Sequence, residues 1–221
     1  MKLVFTQDIQ RDIDNWQASI NRKSYGVEWK KFLPAGISED GVNNESMLKK
    51  YLEDNFYRTG KISSFVDWLN KTARVNQIQE DLEKLLGNTF SQNTITAYIT
   101  TFHRAPYDVQ QKFFFLIFRE TNRERNITNI YHELMHFLFH EYYWEQCRTV
   151  GFNDQQIHVL KESSTILLNP TLEKRGFPKD FGYPNHQELR EKMLKDWEKY
   201  KNFEKVLDVA CEYVKKNKMF L

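Results

Sequence analysis

The fold of this chain is decided by the stretch Tyr131-His132-Glu133-Leu134-Met135-His136-Phe137-Leu138-Phe139-His140. On an α-helix, residues four positions apart lie on the same face, one turn above the other. His132 and His136 can therefore present two imidazole nitrogens to one point, as a tetrahedral zinc site requires. Glu133 follows the first histidine, so it lies beside the metal position, where a carboxylate can accept a proton from water.

The residues around this His-Glu-x-x-His motif predict a buried helix. The apolar positions leave little polar surface in its middle: Ile127, Ile130, Tyr131, Leu134, Met135, Phe137, Leu138 and Phe139. Buried polar groups without partners are costly, and a metal would satisfy both histidines and the glutamate. The alternative is a core helix whose histidines bond to backbone groups or carboxylates.

Composition narrows the class of protein. The chain has 221 residues, enough for one large domain or two small ones, and 40% of them are hydrophobic. Its net charge of +2, from 32 basic and 30 acidic residues, offers no electrostatic case for a nucleic acid or a membrane surface as partner. Only three consecutive apolar residues follow Lys2, too few for a signal peptide, and no stretch approaches the roughly 18 apolar residues of a membrane span.

The two cysteines, Cys147 and Cys211, are isolated in sequence, so no Cys-x-x-Cys pair exists and a structural zinc ribbon is excluded. This usage favours a reduced, cytoplasmic chain, with a single disulfide left open.

The first 90 residues read as a helical N-terminal part without a chemical motif. Apolar residues recur at helical spacing over 7–21, 45–58, 62–71 and 73–86, whereas residues 22–43 contain Pro34, Gly36 and Gly41 and predict mostly loop. This part either packs as one unit with the rest or forms a lid beside a cleft.

Residues 94–119 change to β-strand character. The segments 94–102 and 112–119 are rich in β-branched and aromatic residues and predict two strands, with turn-forming residues at 104–108 between them. We therefore expect a hairpin or meander immediately before the His-Glu-x-x-His helix.

The chain after the motif predicts further helices. Asn153 or Asp154 can cap a helix that carries Glu162 and ends at Pro170. Residues 170–185 hold three prolines and two glycines and predict an ordered loop, and residues 186–217 predict one long helix or two short ones.

Strands, then a His-Glu-x-x-His helix, then a second helix with a glutamate resemble the zincin metallopeptidases, in particular the gluzincin branch. In that branch the third zinc ligand is a glutamate on a downstream helix, which points to Glu162, 26 residues after His136. The other large branch has a third histidine six residues after the second, where this chain has Tyr142. Some gluzincins place an aspartate four residues after the ligand glutamate to orient a histidine. Here that position is Ile166, which leaves Thr165 as a weak candidate.

Two other histidines compete with Glu162 as the third ligand. His140 continues the four-residue series from His136, but one straight helix cannot wrap three consecutive turns around one ion, so we expect it in the core or behind the ligands. His158 lies four residues before Glu162 on the same helix face and can line the site.

A peptidase also needs a donor that stabilises the oxyanion of its tetrahedral intermediate. Gluzincins use a tyrosine or histidine from a later segment, and the loop Phe181-Gly182-Tyr183-Pro184-Asn185-His186 supplies both types. The resemblance thus implies Tyr183 and His186 as catalytic candidates; the alternative is that they cap a helix and fill space.

Together these observations predict an α+β protein with a zincin-like small β-sheet packed on the His-Glu-x-x-His helix. We expect a helical N-terminal part over 1–90, a metallopeptidase domain over 91–221 and the strand at 112–119 beside the metal helix at a sheet edge. The expected function is zinc-dependent hydrolysis of a peptide or protein substrate, with Zn²⁺ held by His132, His136 and Glu162 and with Glu133 as general base. The alternative is a catalytically silent, regulatory or binding module in which zinc is structural.

Overall fold

The computed structural model describes residues 1–24 and 27–216, and the chain forms two compact units. The first joins Met1–Arg74 to Gln92–Thr121, and the second joins Val75–Ser91 to the described part of Asn122–Leu221. The first unit is discontinuous in sequence because a strand near the N-terminus pairs with a strand after residue 92. The expected division of the chain at residue 90 stays a prediction. The expected α+β class is confirmed: helices hold 64% of the residues, beside a small mixed sheet of four strands.

The sheet of the first unit has the order β1-β4-β6-β5, formed by β1 (Lys2–Thr6), β4 (Thr94–Thr100), β5 (Tyr107–Asp108) and β6 (Phe113–Ile117). β1 and β6 both run parallel to β4, and their registers pair Phe5 with Ala97 and Ala97 with Phe114. β1 was not predicted from the sequence, because a strand of five residues is too short to show a clear alternation of apolar and polar positions. A second, two-stranded sheet consists of β2 (Lys23–Ser24) and β3 (Val27–Glu28).

The expected hairpin between the strands at 94–102 and 112–119 is wrong, although both strands exist. β4 and β6 are parallel, and the turn-rich segment between them carries β5, which pairs antiparallel with β6. β6 therefore has neighbours on both sides, β4 and the two-residue β5, and does not lie at the sheet edge.

The helices of the first unit cover the sheet and one another: α1 (Ile9–Ile20), α2 (Glu39–Asn43), α3 (Glu45–Leu52) and α4 (Lys61–Thr72). Their core gathers fully buried side chains at helical spacing, including Ile13, Trp16, Leu48 and Leu52. Asp8 caps the N-terminus of α1, because its carboxylate accepts hydrogen bonds from two backbone N–H groups of the first turn.

The second unit is helical in its described part. Its helices are α5 (Val75–Leu86), α6 (Arg125–Tyr142), α7 (Trp144–Thr149), α8 (Asp154–Ser164), α9 (Asn169–Arg175), α10 (Gln187–Tyr200) and α11 (Phe203–Lys216). The two-helix alternative for the C-terminal segment is correct, with Lys201 in the left-handed conformation between α10 and α11 (φ 48°). None of the described helices has the length and apolarity needed to cross a membrane.

Pro170 does not end the helix that carries Glu162. α8 ends at Ser164, and a 3₁₀ turn, Thr165–Leu168, connects it to α9. Pro170 lies in the first turn of α9, where its missing N–H costs no hydrogen bond. The segment expected to be a loop from residue 170 thus begins as a helix, and its irregular part covers residues 177–183.

Candidate metal centre

The helix α6 places both histidines of the motif on one face. The rings of His132 and His136 have centroids 4.3 Å apart. The helix is fixed on other sides: the Tyr131 hydroxyl donates to Asp81 (2.7 Å), and the Thr128 hydroxyl donates to the carbonyl of Pro178 (2.6 Å). With eleven of its eighteen residues buried, α6 holds the two imidazoles in a set orientation.

Glu162 of α8 meets both imidazoles. Its Oε2 lies 3.4 Å from His132 Nε2, and its Oε1 lies 3.2 Å from His136 Nε2. Zinc bonds of about 2.0–2.2 Å place tetrahedral ligand atoms roughly 3.3–3.5 Å apart, close to both separations. Among the described residues these three side chains form a group whose ligand atoms lie within 4.8 Å of one another, which suits a single metal ion.

The three ligand candidates differ in exposure. The His132 side chain is 19% exposed, whereas those of His136 and Glu162 are 2% and 7% exposed. Of the three side chains, that of His132 is therefore the most accessible to solvent.

Asp180 orients His132 from behind. Its Oδ2 lies 2.7 Å from His132 Nδ1. A proton held on Nδ1 by this carboxylate would leave the Nε2 lone pair to a metal bound between His132 and Glu162, which is the tautomer that a metal ligand requires. This carboxylate takes the orienting role that the sequence resemblance assigned to position 166, and it comes from the loop after α9.

A buried network holds Asp180 in turn. Arg190 of α10 donates from Nη2 to Asp180 Oδ1 (2.9 Å), and Thr165 donates to the same oxygen (3.1 Å). Asn169 pairs with the Asp180 backbone in both directions, at 2.7 and 3.0 Å. Thr165, the weak candidate from sequence, thus acts on His132 only through Asp180.

Gly182 lets the loop close over Arg190. Its φ is +60°, and a Cβ at this position would lie 2.5 Å from Arg190 Nη1. Any other residue here would collide with the guanidinium that holds Asp180, so the glycine is required by this close approach.

Lys161 adds a second cation to the cluster. Its side chain is fully buried, and Nζ donates to Glu162 Oε1 at 2.7 Å. Lys161 and Arg190 balance the charges of Glu162 and Asp180, so four charged groups lie within one buried network. Neither cation was singled out from the sequence. Lys161 and Glu162 are adjacent, and adjacent residues on a helix ordinarily point apart. Arg190 lies 28 positions after Glu162.

Glu133 lies beside the ligands without joining them. Burial raises the pKa of its carboxyl to about 7, with Glu162 and Asp180 adding to the shift and His132 and Lys161 opposing it. Its Oε2 is buried and has no hydrogen-bond partner among the described residues. A carboxyl with a pKa near neutrality can both accept and return a proton, as a general base must.

The two histidines have opposite protonation preferences. Burial acts to lower the pKa of His132, but the charges and hydrogen bonds of Asp180 and Glu162 outweigh it and raise that pKa to about 10. Burial and the Lys161 charge lower the pKa of His136 to about 3. His136 is therefore neutral near pH 7, and the carboxylates around His132 favour a cation at its Nε2.

His140 and His158, the rival ligands, both pack on Trp144 instead. The His140 ring stacks on the indole with centroids 4.2 Å apart, and the His158 ring meets it edge-on at 5.0 Å. Burial lowers the pKa of both, to about 3 for His140. The expected role of His140, in the core or behind the ligands, stays a prediction.

Tyr183 and His186 pack on each other, with ring centroids 5.4 Å apart. His186 is buried, and its pKa is lowered by burial while the Glu162 charge opposes the shift, so this imidazole senses the ligand cluster. The structure thus brings His186 into the electrostatic surroundings of the site, and the role of both residues as oxyanion donors stays a prediction.

Comparison of the chain with protein-family models, with curated proteins and with solved structures finds no match.

Proposed function

We propose that this protein is a zinc-dependent metallopeptidase of the zincin type, with His132, His136 and Glu162 as metal ligands. The observation that carries the proposal is the convergence of these three side chains from two helices, with ligand atoms within 4.8 Å of one another and Glu133 beside them. With the metal in place of their protons, two imidazole nitrogens and one carboxylate would form the donor set of a catalytic zinc site, which keeps its fourth position open.

The bound Zn²⁺ would supply Lewis acidity toward water and toward the substrate carbonyl. The protein residues supply the rest. Glu133 takes a proton from the attacking water and passes it to the leaving amine, a task for which its pKa of about 7 is suited. Asp180 keeps the proton of His132 on Nδ1, and Arg190 keeps Asp180 in place.

A second candidate function is favoured by Lys161. Its ammonium group pairs with Glu162 at 2.7 Å, so the cluster is tied into a buried charge network that serves the fold. In this alternative the protein is a catalytically silent, regulatory or binding module in which zinc is structural. Glu133 favours the peptidase, because a site that only stabilises the fold needs no buried base beside its ligands.

Metal analysis is the first test. We expect about one zinc per chain in protein purified without chelators, and its loss in His132→Ala and His136→Ala, because each variant removes one of three protein ligands. His140→Ala is the matched control, since it removes a histidine of the same helix that packs on Trp144, and it should keep its zinc. Wild-type protein without zinc, in a preparation supplied with zinc, would refute the proposal.

Cleavage of a peptide library then separates the two candidates. The peptidase requires zinc-dependent hydrolysis that a chelator abolishes and that added zinc restores. Zinc binding without hydrolysis of any library member would favour the silent module.

A further inference from the structure

The two cysteines, 64 positions apart in sequence, meet in the second unit. Cys147 lies on α7 and Cys211 on α11, and both line the same cavity. The two helices are joined directly, because Lys215 of α11 donates from Nζ to the carbonyl of Val150 at the end of α7 (2.6 Å). The cysteines thus lie beside a hydrogen bond that links their two helices.

A cavity of about 270 Å³ opens onto both thiols. Two consecutive turns of α11 contribute Leu207, Asp208, Cys211 and Lys215, and α7 contributes Gln146 and Cys147. Cys147 is buried, whereas Cys211 is partly exposed. A small reagent entering this cavity therefore meets Cys211 first.

We propose that Cys147 and Cys211 form a reversible redox site, which a small-molecule disulfide such as oxidised glutathione closes into a disulfide bond between α7 and α11. Neither cysteine belongs to the proposed zinc ligands, so the inference is independent of the peptidase proposal.

The chemistry takes two exchanges. The Cys211 thiolate attacks one sulfur of the small disulfide; that S–S bond breaks, a Cys211 mixed disulfide forms, and one thiolate leaves and takes a proton. The Cys147 thiolate then attacks the Cys211 sulfur and releases the second thiolate. In sum the two cysteines lose two hydrogens and are oxidised, and the small disulfide is reduced to two thiols.

Exposure sets the order of these two exchanges. Cys147 and burial raise the pKa of Cys211, so the first exchange is the slow one, and Cys211 is the entry point because it is the partly exposed thiol. The second exchange is intramolecular, because Cys147 lines the same cavity as Cys211.

Closing the bond would tie α11 to the helix that carries Trp144. Trp144 lies three residues before Cys147 on α7, and its indole packs against His140 and His158. The disulfide would therefore link α11 to the helix on which His140 and His158 pack.

The test treats the full zinc-supplied chain with oxidised glutathione and follows its intact mass without a reducing agent. Wild type should lose two hydrogens and gain no lasting glutathione adduct, and its melting temperature should rise by roughly 10 °C, because the bond closes a long loop of the unfolded chain. A reducing agent should reverse both changes.

Two single variants define the order of events. Cys147→Ser should accumulate a glutathione adduct on Cys211, and Cys211→Ser should react much more slowly, because Cys147 is buried. Wild type that retains glutathione on Cys211, that shows no mass change, or whose two variants react at the same rate would overturn the proposal.

Discussion

Two buried carboxylates, one in each unit, have opposite pKa shifts. Asp12 in α1 is fully buried, and desolvation raises its pKa to about 6 although Thr100, Thr101 and Tyr57 donate hydrogen bonds to it. Burial also acts to raise the pKa of Glu162, but His136, Lys161 and the hydrogen bonds from both histidines hold it well below its ordinary value.

The pKa values of the two carboxyl groups shift in opposite directions because their hydrogen-bond partners differ in charge. The donors around Asp12 are hydroxyl groups and a backbone N–H, which cannot offset the loss of hydration of a full charge. Glu162 lies beside two cationic groups, Lys161 at 2.7 Å and His132 at 3.4 Å, and they keep it ionised. The first network joins α1 to β4 within the sheet unit, whereas the second holds a permanent negative charge where a cation can bind.

The largest effect is expected where the second cluster acts chemically. Glu133→Gln keeps the size of the side chain and removes the base, so peptide hydrolysis should fall about 10²–10⁴-fold while zinc content and melting temperature stay near wild type. Glu141→Gln is the matched control, because it alters another partly buried glutamate of α6 and should retain activity. Hydrolysis at the wild-type rate by Glu133→Gln would show that the base is another group.

The Glu162→Gln variant distinguishes the role of a metal ligand from that of the general base. The neutral amide binds zinc more weakly than the carboxylate, so zinc affinity should fall by more than roughly 100-fold and activity should fall with it. Competition with a chromogenic chelator measures the affinity. If the variant binds zinc as tightly as wild type, the third ligand is another residue, and His158 is the first to replace.

The third prediction tests whether the uncharged hydrogen-bond donors around Asp12 leave its pKa raised. Its folded-state pKa of about 6 lies above the ordinary 3.8, so the folded chain holds more protons between these values and its stability falls as pH rises through this window. Relative to Asp12→Asn, wild type should lose about 2–3 kcal/mol of unfolding free energy between roughly pH 4 and pH 7.5. Urea unfolding of both proteins at the two pH values measures the difference; an equal loss in both would show that Asp12 is not its source.

Asp180→Asn should have the smallest of these effects. Its amide oxygen can still accept from His132, but the charge that favours a cation on the imidazole is gone, so zinc affinity should fall about 10–100-fold. Asp81→Asn is the control: Asp81 accepts a hydrogen bond from Tyr131, the neighbour of His132, and pairs with Arg175. This variant loses the ion pair between α5 and α9 and weakens the anchor of α6 without touching the ligands. An equal loss of zinc affinity in both variants would show a general effect of loosening α6.

The sequence by itself determined the local part of this site. The spacing of His132, Glu133 and His136 sets which side chains share a helix face, because the helical repeat is a property of the backbone and not of its surroundings. The capping of α8 by Asn153 was equally readable, since a cap involves groups only three residues apart.

Only the tertiary structure decided what lies around those side chains. Asp180 contacts His132 from 48 positions away, and Arg190, which holds Asp180, lies 58 positions from that histidine. No local sequence pattern marks either residue. The parallel pairing of β4 with β6 and the meeting of Cys147 with Cys211 are likewise long-range. Each depends on which elements pack together, which is set by the burial of whole helix and strand faces, and a turn or a spacing read along the chain carries no information about it.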